Sequence, residues 1–236
     1  MTVAHPTYRD MRFNAEDNRW ESVKTIIGDT RVTLGPQASQ QWLEAPEHLA
    51  MVLARYRAAA ALIGGAGHVL EAGSGEGIGA RILAKGRWRY CGVDSDAEAV
   101  RIARATVGSD EIAFAELDLL NVDFLPGTIY DAVVSLDVIE HIPADQEDAF
   151  MAAIAAPLTP HGVLVLGTPN AALDHLASPQ SKAGHINTYS HERLHALMSK
   201  RFHVVQSFGM QDMSLHLGHP DARHYLLLAG IGPRRD

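Results

Sequence analysis

Glu71, Asp94 and Asp118 each stand at the end of a short apolar run, and Gly73, Gly75 and Gly77 follow the first of them at alternate positions. Glycine lets a backbone turn tightly and approach a ligand without Cβ contact. A glycine turn between a strand and a helix also aims backbone N–H groups at the mouth of a parallel sheet. A dinucleotide fingerprint needs a third glycine where Ile78 stands, and no Gly-Lys-Ser/Thr follows for a P-loop. A pyrophosphate gains nothing from the Glu71 carboxylate beside it, whereas a cationic or amine-bearing ligand does. Asp94 lies 21 residues after Gly73 (94 − 73), near the offset at which an acid takes ribose hydroxyls in nucleotide-binding α/β folds. Its two acceptor oxygens suit a cis-diol. The competing role is helix N-cap, which Ser95 or Asp96 can fill instead. His141 and His185 are the candidates for proton transfer, because histidine titrates in the useful range. His203, His216, His219 and His224 gather near Asp212 and Asp221 in no recognised ligand spacing, so no metal is expected there or elsewhere.

Positioning these residues takes a regular alternation of elements. His68-Val69-Leu70 reads as a buried strand feeding the glycine turn and a helical pattern from Ile78 to Lys85. Strands are expected over 89–93, 112–118, 130–136 and 163–167, with a helix over 146–157 before the fifth. Ser190 is a suitable cap for a helix carrying Leu194, Leu197 and Met198 on one face. Segments 202–208 and 224–229 follow as strands with no helix between them, so they should pair antiparallel. Ahead of all this, residues 1–35 are polar and broken by turns, and Trp20, Val23, Ile26 and Ile27 recur at helical spacing. Leu49, Val52, Leu53, Tyr56, Ala60 and Leu62 make Pro46–Leu62 a helix that Gly64-Gly65 stops. Residues 178–189 read as a long polar loop of the kind that serves recognition.

The string Glu71-Ala72-Gly73-Ser74-Gly75-Glu76-Gly77 resembles motif I of class I S-adenosylmethionine (SAM) dependent methyltransferases. Asp137-Val138-Ile139-Glu140-His141 resembles the string after strand four in the branch that includes ubiquinone-type O-methyltransferases. The resemblance covers about residues 65–232 and departs from commoner relatives at Glu71, often Asp, and Ser74, often Cys. It implies a three-layer, Rossmann-like α/β fold with a seven-stranded sheet and an antiparallel last hairpin. It further implies SAM as cofactor, held by Glu71, Gly73, Ser74, Gly75 and Gly77, by Asp94 and Ser95 at the ribose, and by Asp118 and Leu119 at the adenine. Ser135 and Leu136 would border the methionine half, with Asp137 either near the sulfonium or a plain strand-end residue. Residues 1–64 become a helical extension lying over the cofactor or simply capping the sheet, and 65–236 the SAM-binding domain. His185, with His141 second, is the expected base wherever an acceptor must lose a proton.

Composition narrows the partners. A formal net charge of −8 without a Lys/Arg tract argues against nucleic acid, and no apolar run approaches a membrane span. Cys91 is the sole cysteine, so no intrachain disulfide forms and a reduced, cytoplasmic setting is expected. The expected substrate is a small molecule, polar rather than flat and aromatic, methylated at oxygen. Three alternatives stand beside it: methylation at nitrogen, a SAM-binding protein without catalysis, and a nicotinamide-dependent oxidoreductase. A homodimer is compatible with the sequence.

Overall fold

In the computed structural model, residues 19–87, 89–121, 129–211, 213–218 and 224–235 are described. The polar segment 1–18 and residues Asp212, His219 and Asp221 of the C-terminal histidine-rich stretch lie outside them. The chain divides into two compact units, Met1–Thr33 and Leu34–Asp236. In the first, α1 (Arg19–Ile27) carries an exposed Glu21–Lys24 pair at 2.7 Å.

The second unit is built on eight strands. β1 (His68–Ala72), β2 (Arg89–Asp94), β3 (Ile112–Glu116), β4 (Tyr130–Leu136), β5 (Leu158–Pro169), β6 (Phe202–Met210), β7 (Leu215–Leu217) and β8 (Tyr225–Pro233) form one sheet. Their spatial order is β3-β2-β1-β4-β5-β8-β6-β7. β1 to β5 are parallel, and β8 runs antiparallel between β5 and β6. The reversed final hairpin is therefore present. The eighth strand is a correction to the seven expected: Leu215–Leu217 pairs with Phe208–Met210 inside a stretch read as loop. Three residues are too short for an alternation to declare itself.

Strand residues alternate between two cores. Val69 and Val134 face Tyr56, Leu83, Val100 and Phe114, while Leu70 and Val133 face Phe150, Ile154, Leu197 and Met198. One outer layer holds α3 (Pro46–Leu62), α4 (Ala80–Leu83) and α5 (Ala97–Thr106), and the other holds α6 (Glu147–Ala155) and α8 (His191–Ser199). The helix read from Ile78 is confined to four residues. Gly79 at its entry lies so close to Tyr56 that a Cβ there would sit 2.0 Å from the ring. α2 (Pro36–Glu44) precedes α3 and packs on it. Within 170–190 the expected loop is largely structured. Asn170 caps a 3-10 turn over Ala171–Leu176, and Ser178 caps α7 (Pro179–Gly184) with Pro179 at its first position.

Among the described residues no helix is long and apolar enough to cross a membrane.

Candidate functional site

The strand order reverses between β1 and β4, which leave their shared boundary in opposite directions across the sheet. In open parallel sheets the crevice beyond the carboxyl ends at such a switch is where ligands bind. Here the glycine turn leaves β1 on one side, and Asp137 to His141 leave β4 on the other.

The turn has the backbone that its composition demands. Gly73, Gly75 and Gly77 hold φ of 81°, 49° and 77°, the left-handed region that other residues enter only at a cost. A Cβ on Gly73 would lie 2.2 Å from Val138 Cγ2, so the first glycine is also where the two sides of the crevice touch. Gly73 N–H and Ser74 N–H both donate to the Val93 carbonyl, at 2.8 and 3.0 Å. Ser74 is buried, and its hydroxyl has no protein partner.

Asp94 is tied into the same loop: Oδ2 accepts from Gly75 N at 2.8 Å and Oδ1 from Asp96 N at 2.9 Å. Each oxygen keeps acceptor capacity. The cap of α5 is Asp96, which accepts from Glu98 N and Ala99 N, so Asp94 is not consumed as a cap. Ser95 is exposed beside it. Asp118 lies just beyond β3, exposed, accepting from Leu120 N at 2.9 Å and from the Asn121 amide. Leu119 is half-buried next to it. Leu117 N–H donates to the Asp94 carbonyl at 2.8 Å, which sets the ends of β2 and β3 side by side.

Glu71 and Ser135 do not open onto the crevice. Glu71 is 1% exposed beneath the turn, with Oε2 accepting from the Tyr90 hydroxyl and Oε1 without a protein partner. Burial pushes its carboxyl up to about 7, although the Tyr90 and Tyr56 hydroxyls hold it down. Ser135 is fully buried with an unpartnered hydroxyl, and Leu136 packs in the core.

The pH consequence at Glu71 has a definite sign. A carboxyl raised from 4.5 to about 7 is more protonated in the folded chain than in the unfolded one. Stability is then fully present below the unfolded pKa and lost as pH rises through 7. Glu71→Gln should therefore gain on the wild type between pH 5 and pH 8, by on the order of 3 kcal/mol. Urea unfolding at both pH values measures this, and parallel pH profiles for the two proteins would refute it.

Across the crevice the two histidines singled out above come together. The rings of His141 and His185 are 5.1 Å apart, centroid to centroid. They meet because the chain after α7 is stitched to the turn after β4: Ile186 N and Asn187 N donate to the Glu140 carbonyl at 3.0 and 3.1 Å. His141 Nδ1 lies 2.8 Å from the Gly184 carbonyl. A carbonyl only accepts, so Nδ1 carries the proton and Nε2 of the neutral ring presents a lone pair. Burial, then the neighbouring His141, lowers the pKa of His185. Behind the loop, Glu147 Oε2 takes the Tyr189 hydroxyl at 2.9 Å and Arg193 Nη2 at 2.5 Å, while Asn187 Nδ2 donates to Tyr189 at 2.6 Å.

Sequence reasoning did not single out Glu140, Arg55 or Tyr225. Glu140 is 1% exposed; its Oε2 accepts from Thr168 Oγ1 at 2.9 Å and its Oε1 has no protein partner. Burial, then the Asp137 charge, pushes its carboxyl up to about 8. Glu140, His141 and His185 can each offer one atom to a common centre, all within 4.8 Å of one another. Arg55 reaches in from α3: Nη1 is 2.9 Å from both oxygens of Asp137, and its guanidinium carbon stands 4.0 Å over the Tyr225 ring. The available signal was a charge three residues after Val52 on the buried stripe of α3.

A family model described as a methyltransferase domain matches residues 44–206. A probable S-adenosylmethionine-dependent methyltransferase of Mycolicibacterium smegmatis is 39% identical over 102 residues, 43% of this chain and 38% of that protein. A Mycobacterium tuberculosis protein of the same description is also 39% identical over 102 residues, 43% of this chain and 35% of that protein. The matched segment thus spans little more than a third of either relative. Among solved structures, the methyltransferase domain of bacterial CtHen1 superposes with a TM-score of 0.64 at 17% identity, covering 77% of this chain and 99% of that one. The N-methyltransferase NodS of Bradyrhizobium japonicum WM9, in complex with S-adenosyl-L-homocysteine, gives 0.60 at 20% identity, covering 92% and 100%. Likeness at these identities speaks to the fold.

Proposed function

From the premise that this chain belongs to the methyltransferase-domain family matched over residues 44–206, we propose that it transfers the methyl group of SAM to an oxygen of a polar small molecule. The observation that carries the reading is the convergence of His141, His185 and Glu140 opposite a glycine turn at the switch point of the sheet. SAM supplies a methyl group on a good leaving group. The chain's residues then have to orient a nucleophile and exclude water. A hydroxyl must lose its proton as it attacks, and His185 or His141 Nε2 is the group that takes it. The glycine turn and Asp94 hold the cofactor, and α2 and α3 cover it from the N-terminal side.

A second reading is favoured by Glu140, whose Oε1 is buried without a protein partner and whose carboxyl offers an oxygen within 4.8 Å of the ring nitrogens of His141 and His185. A carboxylate and two histidines are a donor set that fits a divalent cation. Held there, the cation would lower the pKa of an acceptor hydroxyl, which also favours oxygen over nitrogen.

Calorimetric titration with SAM, S-adenosylhomocysteine and NAD, followed by release of S-adenosylhomocysteine over a panel of hydroxyl and amine acceptors, tests the reading. SAM binding without NAD binding, and turnover on hydroxyls, is the expected result; turnover confined to amines would move the acceptor to nitrogen. Repeating turnover after chelation and after addition of Mg²⁺ or Mn²⁺ separates the histidine base from the cation, with Mn²⁺ titration of His185→Ala as a binding readout. Asp94→Ala should weaken SAM binding by about 1–3 kcal/mol. Unchanged affinity would remove the ribose assignment.

A further inference from the structure

Arg55 is the one guanidinium that the described residues place against Asp137, and its setting is unusual. Its side chain is 9% exposed, whereas that of Asp137 is 32% exposed. The carboxylate therefore faces both the guanidinium and the open side. Asp137 is also the only described residue other than glycine with a positive φ, at 57°. Left-handed backbone is avoided by most residues that carry a side chain, with Asn and Asp the usual exceptions, and here the side chain so directed accepts from Arg55 through both oxygens. The Tyr225 ring, fully buried, lies under the guanidinium carbon.

This ion pair lies at the crevice and not merely near it. Asp137 is the first residue after β4, Asp137 N–H donates to the Gly167 carbonyl at 3.0 Å, and the next side chain, Val138, packs on Gly73 of the glycine turn. On the SAM reading, and with Val138 packed on Gly73, a cofactor lying on that turn would carry its sulfonium within reach of the Asp137 charge. The Asp137 carboxylate attracts a sulfonium and is indifferent to the neutral thioether left after methyl transfer. Arg55 opposes that preference with a full charge that cannot be discharged, since a guanidinium stays protonated in proteins.

We infer that Arg55 is a specificity-determining residue that sets, through its ion pair with Asp137, how strongly the crevice prefers the sulfonium donor over the thioether product. The inference rests on the SAM reading above. By neutralising Asp137, Arg55 narrows the preference that charge alone would give the sulfonium over the neutral thioether. Its physical content is a ratio of two affinities, which packing changes alone leave in place.

The test is calorimetric titration of wild type, Arg55→Met, Arg55→Lys, Asp137→Gly and Arg55→Met/Asp137→Gly with SAM and with S-adenosylhomocysteine at one ionic strength. Arg55→Met exposes an unpaired carboxylate and should move the ratio toward SAM on the order of tenfold. Asp137→Gly leaves the guanidinium alone and should move it toward S-adenosylhomocysteine by a similar factor. Glycine is at home at that φ, so this variant keeps the measurement available if Arg55→Met folds poorly. Arg55→Lys and the double variant should return ratios near the wild type. Equal losses for both ligands in every variant would overturn the inference and leave Arg55 a structural residue. Failure of the wild type to bind either ligand would instead overturn the cofactor reading, and this inference with it.

Discussion

His185→Ala should lower turnover by roughly 10²- to 10⁴-fold, the usual contribution of a positioned general base, while SAM affinity stays within about twofold. The separation follows from where the ring sits. His185 lies beside His141, after β5 and α7, on the side of the crevice proposed for the acceptor, whereas the groups assigned to the cofactor lie on the turn after β1 and on the end of β2. His141→Ala should fall in the same direction, and a loss similar to that of the double variant would show that the two rings act as a unit. The pH dependence of the wild-type rate supplies a second reading. Burial lowers the pKa of His185, so the base form persists to lower pH than an exposed histidine would allow. A rate that keeps its alkaline plateau below the ordinary histidine range is the expected profile. SAM affinity that collapses together with turnover in His185→Ala would place this residue in the cofactor site instead.

Gly73→Ala should be the most damaging single change to cofactor binding, and Gly75→Ala is its control. Both positions have left-handed backbone, at φ 81° and 49°, so both bear the conformational penalty of about 1–2 kcal/mol. Only at Gly73 does the added methyl meet something: Val138 Cγ2 at 2.2 Å, against nothing within 4 Å at Gly75. Overpacking of that kind costs roughly a further 1–3 kcal/mol. It acts on both walls of the crevice at once, because Val138 follows Asp137. SAM binding should weaken by about a hundredfold or more in Gly73→Ala and by roughly tenfold in Gly75→Ala. Equal modest losses at the two positions would mean that the turn is a plain connector.

The parts of this architecture that announce themselves in sequence are those fixed by local rules. Pro46 at the first position and an apolar stripe through Tyr56 delimit α3 without help from the rest of the chain. Alternate glycines specify a left-handed turn because other residues resist it. Ser190 caps α8 through Arg193 N, as its hydroxyl and the following apolar face require. What stayed hidden depends on distance. His141 and His185 are 44 positions apart (185 − 141), and hydrogen bonds to the Gly184 and Glu140 carbonyls, made between distant segments, bring them together. Arg55 and Asp137 are 82 apart, and nothing local tells a buried arginine from one that curls to solvent. Glu71 shows the converse difficulty. Its position ahead of the turn was legible, but Tyr90, one strand away, decides that the carboxylate is enclosed.

Glu76, the one charged residue within the glycine turn, spends its carboxylate on α2. It accepts from Gln37 N at 3.0 Å and Ala38 N at 3.2 Å, supplying the helix cap that Gly35 lacks. Two backbone amides nearly forty residues upstream are thus wired to the turn proposed to hold the cofactor. Their hydrogen-exchange rates become an occupancy gauge. If ligand binding steadies the turn, Gln37 and Ala38 should exchange more slowly whenever the crevice is filled, although neither amide needs to touch the ligand. An investigator could then follow those two signals alone, and rank cofactor analogues before any methyl group has moved.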